Sequence, residues 1–177
     1  SVISFWRMIF ATLLIYFISK FSKQSKMEKK NYFKSILAGI FLGLHFVFFF
    51  KAIKFTSISN ATFLGTLAPF FTFIIEVFFF KRKVFIKQVS WLFIILFGSF
   101  ILVFNNFDIG GQFTVGNIYA IICSFFFGIV FIISNQVRKD ESLFAYTKVL
   151  YFIASLTLLF ICLINKENII DHSSKEY

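Results

Sequence analysis

Residues 57–80 read SISNATFLGTLAPFFTFIIEVFFF and hold both the chain's only proline, Pro69, and a lone carboxylate, Glu76, within an otherwise apolar run. At about 1.5 Å per residue, about 20 helical residues cross a hydrocarbon core of roughly 30 Å, so the stretch is long enough to span a bilayer. A proline inside such a helix removes one backbone hydrogen bond and clashes with the preceding turn, at about 3 kcal/mol. Breaks of this kind are tolerated in membranes where hydroxyls, water or neighbouring helices satisfy the freed carbonyls, which is to say where the helix faces protein or a cavity. Thr62, Thr66 and Thr72 all stand close to Pro69.

On a continuous helix, Thr62, Thr66, Pro69, Phe73 and Glu76 fall within roughly 40° of one line. That face carries the proline, two hydroxyls and the one acidic side chain inside any apolar block, and it is expected to line a cavity and bind substrate. The bland reading has the threonines bonding back to their own helix while Pro69 only bends it. Glu76 has two readings as well: a site for a proton or a cationic substrate, or an interfacial ion pair with the Lys81–Lys83 cluster.

Working outward, five more blocks of the same character appear, giving spans at 2–19, 35–55, 57–80, 88–104, 114–135 and 143–164. With 59% hydrophobic and 23% aromatic residues against 15% charged, the composition excludes an ordinary water-soluble globule. The blocks lack period-two alternation, so a barrel wall is excluded too, and the predicted fold class is an all-α integral membrane protein with six transmembrane helices. The 32 phenylalanines share AT-rich codons with the abundant Lys, Ile and Asn, and runs such as 48–50 carry no functional weight.

The net charge of +10 suggests nucleic acid, but the placement of the basic residues argues for topology instead. Lys20, Lys23, Lys26, Lys29, Lys30 and Lys34 follow the first block; Lys81, Arg82, Lys83 and Lys87 follow the third; Arg138, Lys139 and Lys148 surround the gap after the fifth. The loops at 20–34, 81–87 and 136–142 are therefore expected to be cytoplasmic. The connection NNFDIGGQF at 105–113 has no Lys or Arg and carries Asp108, as expected on the opposite side. Lys51 and Lys54 near the outer end of the second block are exceptions that snorkelling accommodates. The chain opens SVISFWRMIF within an apolar block, which reads as a fragment.

Chemistry-bearing residues are few. The only histidines are His45 and His172, and no G-x-S-x-G or H-E-x-x-H occurs, so an enzyme is not expected and no cofactor or metal is called for. Cys123 and Cys162 lie within apolar blocks and read as small hydrophobes. Gly39 and Gly43 form G-x-x-x-G, a surface on which another helix can lie close. His45, off that face, is a candidate substrate contact or a hydrogen-bonded structural histidine, and Ser124 in the fifth block is a further candidate.

The segments GIFLGLHFVFFFKAIKFTSISNATFLGTLAPFFTFII (39–75) and QVSWLFIILFGSFILVF (88–104), joined by a basic loop and with Pro69 and Gly98 at matching spacing, resemble the repeat of EamA-like proteins in the drug/metabolite transporter superfamily. RMIFATLLIYF resembles that family's second helix, and GNIYAIICSFFFGIVFIISNQVRKD the opening helix of its second repeat. The resemblance implies a ten-helix bundle of two inverted five-helix repeats. Residues 1–104 would be helices two to five of the first repeat, 105–113 an outer loop, 114–165 the first two helices of the second repeat, and 166–177 an outer loop or truncated tail. One helix before and three after would be missing. The sequence departs from the family pattern at Arg82, where a glutamate is usual, and at Trp91, where glycine is frequent.

The function expected is secondary transport of a small metabolite by alternating access in the inner (plasma) membrane; the alternative is a non-transporting scaffold or a channel subunit. The partners expected are a small-molecule substrate and the lipid bilayer, with room for a coupling proton or ion and for a homodimer, and no nucleic acid. The substrate-binding candidates are Thr62, Thr66, Pro69, Phe73, Glu76, His45 and Ser124.

Overall fold

The computed structural model describes residues 2–21, 27–104 and 113–165. Lys23, Lys26, nearly all of the 105–113 connection with Asp108, and the 166–177 segment with His172 lie outside the described residues. Helices follow one another as α1 (Val2–Ser19), α2 (Lys29–Phe55), α3 (Ile58–Gly65), α4 (Ala68–Phe78), α5 (Ile86–Val103), α6 (Thr114–Val137) and α7 (Leu143–Ile164), with no strand among the described residues. The protein is an all-helical integral membrane protein. Among the described residues five segments are long and apolar enough to cross a membrane, α3 and α4 together counting as one, and the apolar helix Ile86–Ile101 is a shorter sixth. Phe, Ile and Leu side chains stand exposed along the helices, among them Phe10, Phe78, Phe93 and Phe160, an outer surface suited to lipid and not to water.

Three boundaries differ from the hydropathy blocks, each for a physical reason. The third block is two helices, because Pro69 interrupts it. Helix α2 begins at Lys29, before its apolar part, because its polar first turns are held by residues far along the chain: Glu141 accepts hydrogen bonds from the Glu28 N–H and from Asn31 Nδ2, both at 3.0 Å. Lys34 Nζ likewise donates to Gln136 Oε1 at 3.0 Å. Helix α6 runs on to Val137, so Gln136, taken as loop by its polarity, is helical.

The chain divides into two compact units, residues 1–44 with 136–177, and residues 45–135. In the first unit α1 packs along α7, burying Val2, Phe5 and Met8 on one side and Tyr146, Leu150, Ala154 and Leu158 on the other. The G-x-x-x-G face of α2 lies on α7 as well. A Cβ placed on Gly39 would stand 2.6 Å from Ile153 Cβ, and one on Gly43 2.7 Å from Thr157 Cβ, so glycine is what allows the approach.

In the second unit α3 packs on α5, with the Phe63 and Phe100 rings 5.5 Å apart, and α6 runs against α3 and α4. Helix α3 opens on Ser57, whose hydroxyl accepts from the Asn60 N–H at 3.1 Å. Gly116 on α6 faces the Phe55–Thr56 backbone with no room for a Cβ.

Candidate functional site

The second unit is organised around the break between α3 and α4. The last turn of α3 tightens: the Thr66 N–H reaches both Thr62 O and Phe63 O at 3.0 Å, and the Leu67 N–H reaches Leu64 O at 3.3 Å. Pro69 stands in the first turn of α4, where its missing N–H is normally harmless, but it supplies no donor to the Gly65 carbonyl one turn back. Regular bonding resumes with the Phe71 N–H on Leu67 O at 3.1 Å. Thr66 and Leu67 thus form a joint within a single membrane span.

Helix α6 braces this joint from both sides. Ser124, fully buried, donates its hydroxyl to the Leu64 carbonyl on the α3 side. On the α4 side Thr72 Oγ1 lies 2.9 Å from its own helix's Ala68 O and 3.2 Å from Gly128 O, so its one hydrogen is shared between two carbonyls. A Cβ on Gly128 would come within 3.1 Å of Ala68 O and of Phe71 Cβ, so this glycine too sets a close crossing. About two turns before Ser124, Asn117 Oδ1 accepts from Thr56 Oγ1 at 2.7 Å and from Asn60 Nδ2 at 3.0 Å. Asn60 is fully buried, and this amide pair fastens the start of α3 to α6.

The candidate residues are distributed unevenly about the joint. Thr62 bonds Ile58 O and Thr66 bonds Phe63 O, each at 2.7 Å, so both hydroxyl hydrogens are spent within α3 and each oxygen keeps its acceptor capacity. Because the helix is broken, the line expected through Thr62, Thr66, Pro69, Phe73 and Glu76 is interrupted: Thr62 lies in α3, Thr66 at the joint, and the other three on α4. Glu76 meets Arg82, whose Nη1 pairs with its carboxylate and whose N–H bonds its carbonyl at 3.2 Å. The chain turns there through Lys81, at φ 48°. Arg82 is the position at which glutamate is usual in the family that the sequence resembles; here it closes the end of α4.

His45, on α2, meets α6 at the residue before Ser124. His45 Nδ1 lies 3.1 Å from the carbonyl oxygen of Cys123, the residue before Ser124, and its ring stacks on Phe127 with centroids 4.4 Å apart. Phe46 and Phe49 complete an aromatic surround. Among the described residues no group of three His, Cys, Asp or Glu side chains could hold a metal ion.

Sequence reasoning passed over Thr56, Asn60 and Asn117. Their signal was present: an amide within an apolar block has to find a partner across helices, and two asparagines on neighbouring spans are a natural pair.

The family model for the EamA-like transporter family matches residues 1–104. No curated protein and no solved structure matches the chain.

Proposed function

The chain belongs to the EamA-like transporter family, and on that premise we propose that it is a secondary transporter moving a small metabolite by alternating access around the broken third span. Membership puts it in a family of multi-pass membrane transporters, and transport is the reading this favours. The observation that carries the finer reading is the joint at Thr66–Leu67, with the Leu64 carbonyl just before it bonded by Ser124. Irregular backbone at membrane depth occurs where it is enclosed by protein or lines a hydrated space, and discontinuous helices are how such transporters build a midplane site.

Thr62, Thr66, Pro69, Phe73, Glu76, His45 and Ser124 form the proposed binding set. Since the two threonine hydroxyls already donate within α3, they offer acceptor lone pairs, which favours a substrate bearing O–H or N–H groups. The proposed membrane is the plasma (inner) membrane, and the basic residues of the segments 20–34, 81–87 and 136–142 support a cytoplasmic position for them.

Purified protein reconstituted in vesicles, tested against amino acids, sugars and nucleotide-like metabolites under ion gradients and in countertransport, decides the matter. Movement of one class, with Thr66→Val shifting its apparent KM while assembly is unchanged, supports the proposal. No movement of any solute under any gradient refutes it and leaves a scaffold.

A further inference from the structure

His45 is only half used by the bonds that fix it. Its Nδ1 is 3.1 Å from Cys123 O and 3.1 Å from Cys123 Sγ. A carbonyl oxygen can only accept, so the hydrogen is assigned to Nδ1, with the sulfur as a second and weaker acceptor. The neutral ring then keeps its lone pair on Nε2, at the edge turned away from that bond. Phe127 stacks on the ring at 4.4 Å with planes 22° apart, Phe49 lies on it at 6.3 Å and 19°, and Phe46 meets it edge-on at 5.1 Å.

We propose that Nε2 of His45 is the site at which the protein takes up a coupling proton, and that the resulting imidazolium resets the joint between α3 and α4. The inference rests on the transporter reading above. Uptake adds one proton at Nε2 and breaks no bond, because Nδ1–H stays on the Cys123 carbonyl in both states and becomes charge-assisted when the ring is cationic. The Phe127 and Phe49 faces give that cation a cation–π surface in place of water.

Few competing groups surround it. The titratable side chains of α6 are Cys123, at the ring, and Tyr119, which lies against Phe48 and Phe55; α6 carries no Asp, Glu, Lys or Arg. Helix α3 has no ionisable side chain, and Glu76, the carboxylate of α4, is held by Arg82. Lys51, farther along α2, lies over the Phe48 and Tyr119 rings.

The link to the joint is about a turn and a half of α6. Cys123 receives His45, Ser124 next in the chain donates to Leu64 O, and Gly128 O receives Thr72. A charge on His45 therefore acts on the peptide that adjoins the brace on α3.

The chain has two histidines, so ¹⁵N-histidine NMR of the His172→Asn variant in lipid nanodiscs reads His45 alone. The expected spectrum at neutral pH is the Nδ1–H tautomer. Acidification through about pH 8 to 5, the range in which histidine ordinarily titrates, should protonate Nε2. Hydrogen exchange at residues 58–72, corrected for its intrinsic pH dependence, should change in step, and His45→Gln should abolish that change. A neutral Nε2–H tautomer, a ring that does not titrate, or a pH response at 58–72 that persists in His45→Gln overturns the proposal. Solute uptake in vesicles is read separately: transport that ignores pH refutes the proton site and spares the transporter reading, whereas a titrating His45 with a responsive joint in a protein that moves no solute refutes that reading alone.

Discussion

Replacing Gly39 with alanine should weaken the first unit even though alanine is the better helix former. The added Cβ would stand 2.6 Å from Ile153 Cβ, 2.9 Å from Ile153 Cγ2 and 2.8 Å from the Leu150 carbonyl oxygen. Carbon atoms in comfortable contact lie about 3.5–4.0 Å apart, so α7 has to retreat by roughly 1 Å. Rotating a side chain cannot relieve the clash, since a Cβ and a backbone oxygen are fixed to α7 itself. Overpacking on this scale costs about 1–3 kcal/mol. The helix-propensity gain of about 0.8–1.0 kcal/mol offsets part of it, leaving a net loss of up to about 2 kcal/mol.

Gly98→Ala is the matched control. A Cβ there meets nothing within 4 Å, so only the propensity gain remains, about 0.8–1.0 kcal/mol in the stabilising direction. Equilibrium unfolding of both variants in bicelles with a denaturing detergent reads the two signs side by side. If Gly39→Ala proves as stable as Gly98→Ala, α2 and α7 do not cross at Gly39, and the packing of the first unit described above is wrong.

Four further outcomes are expected. Ser124→Ala removes the donor to Leu64 O and should cost about 0.6 kcal/mol, at most about 1.7, in the same unfolding assay. Asn117→Leu should cost more, about 1–3 kcal/mol, because it leaves the Thr56 and Asn60 donors facing an apolar side chain; equal costs for the two variants would contradict the shared acceptor. Glu76→Gln breaks a pair in which Arg82 is about half exposed, so its loss should stay below about 1 kcal/mol. The pH profile of uptake should survive that change, and a profile flattened by it would move the proton site from His45 to Glu76. Glu141→Ala should fray the start of α2, seen as faster amide exchange at Glu28 and Asn31, while Glu141→Gln, which keeps an acceptor oxygen, should retain most of the protection.

What the sequence discloses follows the range of the forces involved. Apolar length shows where spans lie, since crossing lipid is a requirement on each segment alone, and α1, α6 and α7 begin and end close to their blocks. The break before Pro69 is also local: a missing N–H acts on the carbonyl four residues back, which places the joint at Thr66–Leu67. Partners are another matter. The Glu141 bonds that start α2 early span more than a hundred residues, and the hydroxyl that satisfies Leu64 O comes from 60 residues away. The G-x-x-x-G face announced a close helix without saying that it would be α7. Thr62 and Thr66 could be placed on one side of a helix, but whether a threonine hydrogen goes to its own carbonyl or elsewhere is settled by rotamer and packing, which hydropathy does not contain.

The two sides of the joint are held by unequal means, and this sets where the third span can change shape at least cost. On the α3 side, losing the Ser124 bond leaves Leu64 O with only the Leu67 N–H at 3.3 Å, and the amide cluster of Asn60, Thr56 and Asn117 still fastens the start of that helix. On the α4 side, giving up the Thr72 contact to Gly128 O at 3.2 Å costs little, because the same hydroxyl keeps its 2.9 Å bond to Ala68 O. Pro69 also removes the backbone bond that would tie α4 to Gly65. By hydrogen bonds α3 is therefore the more firmly fastened side of the joint at Thr66–Leu67 and α4 the less firmly fastened, with the His45–Cys123 contact next to the brace on α3.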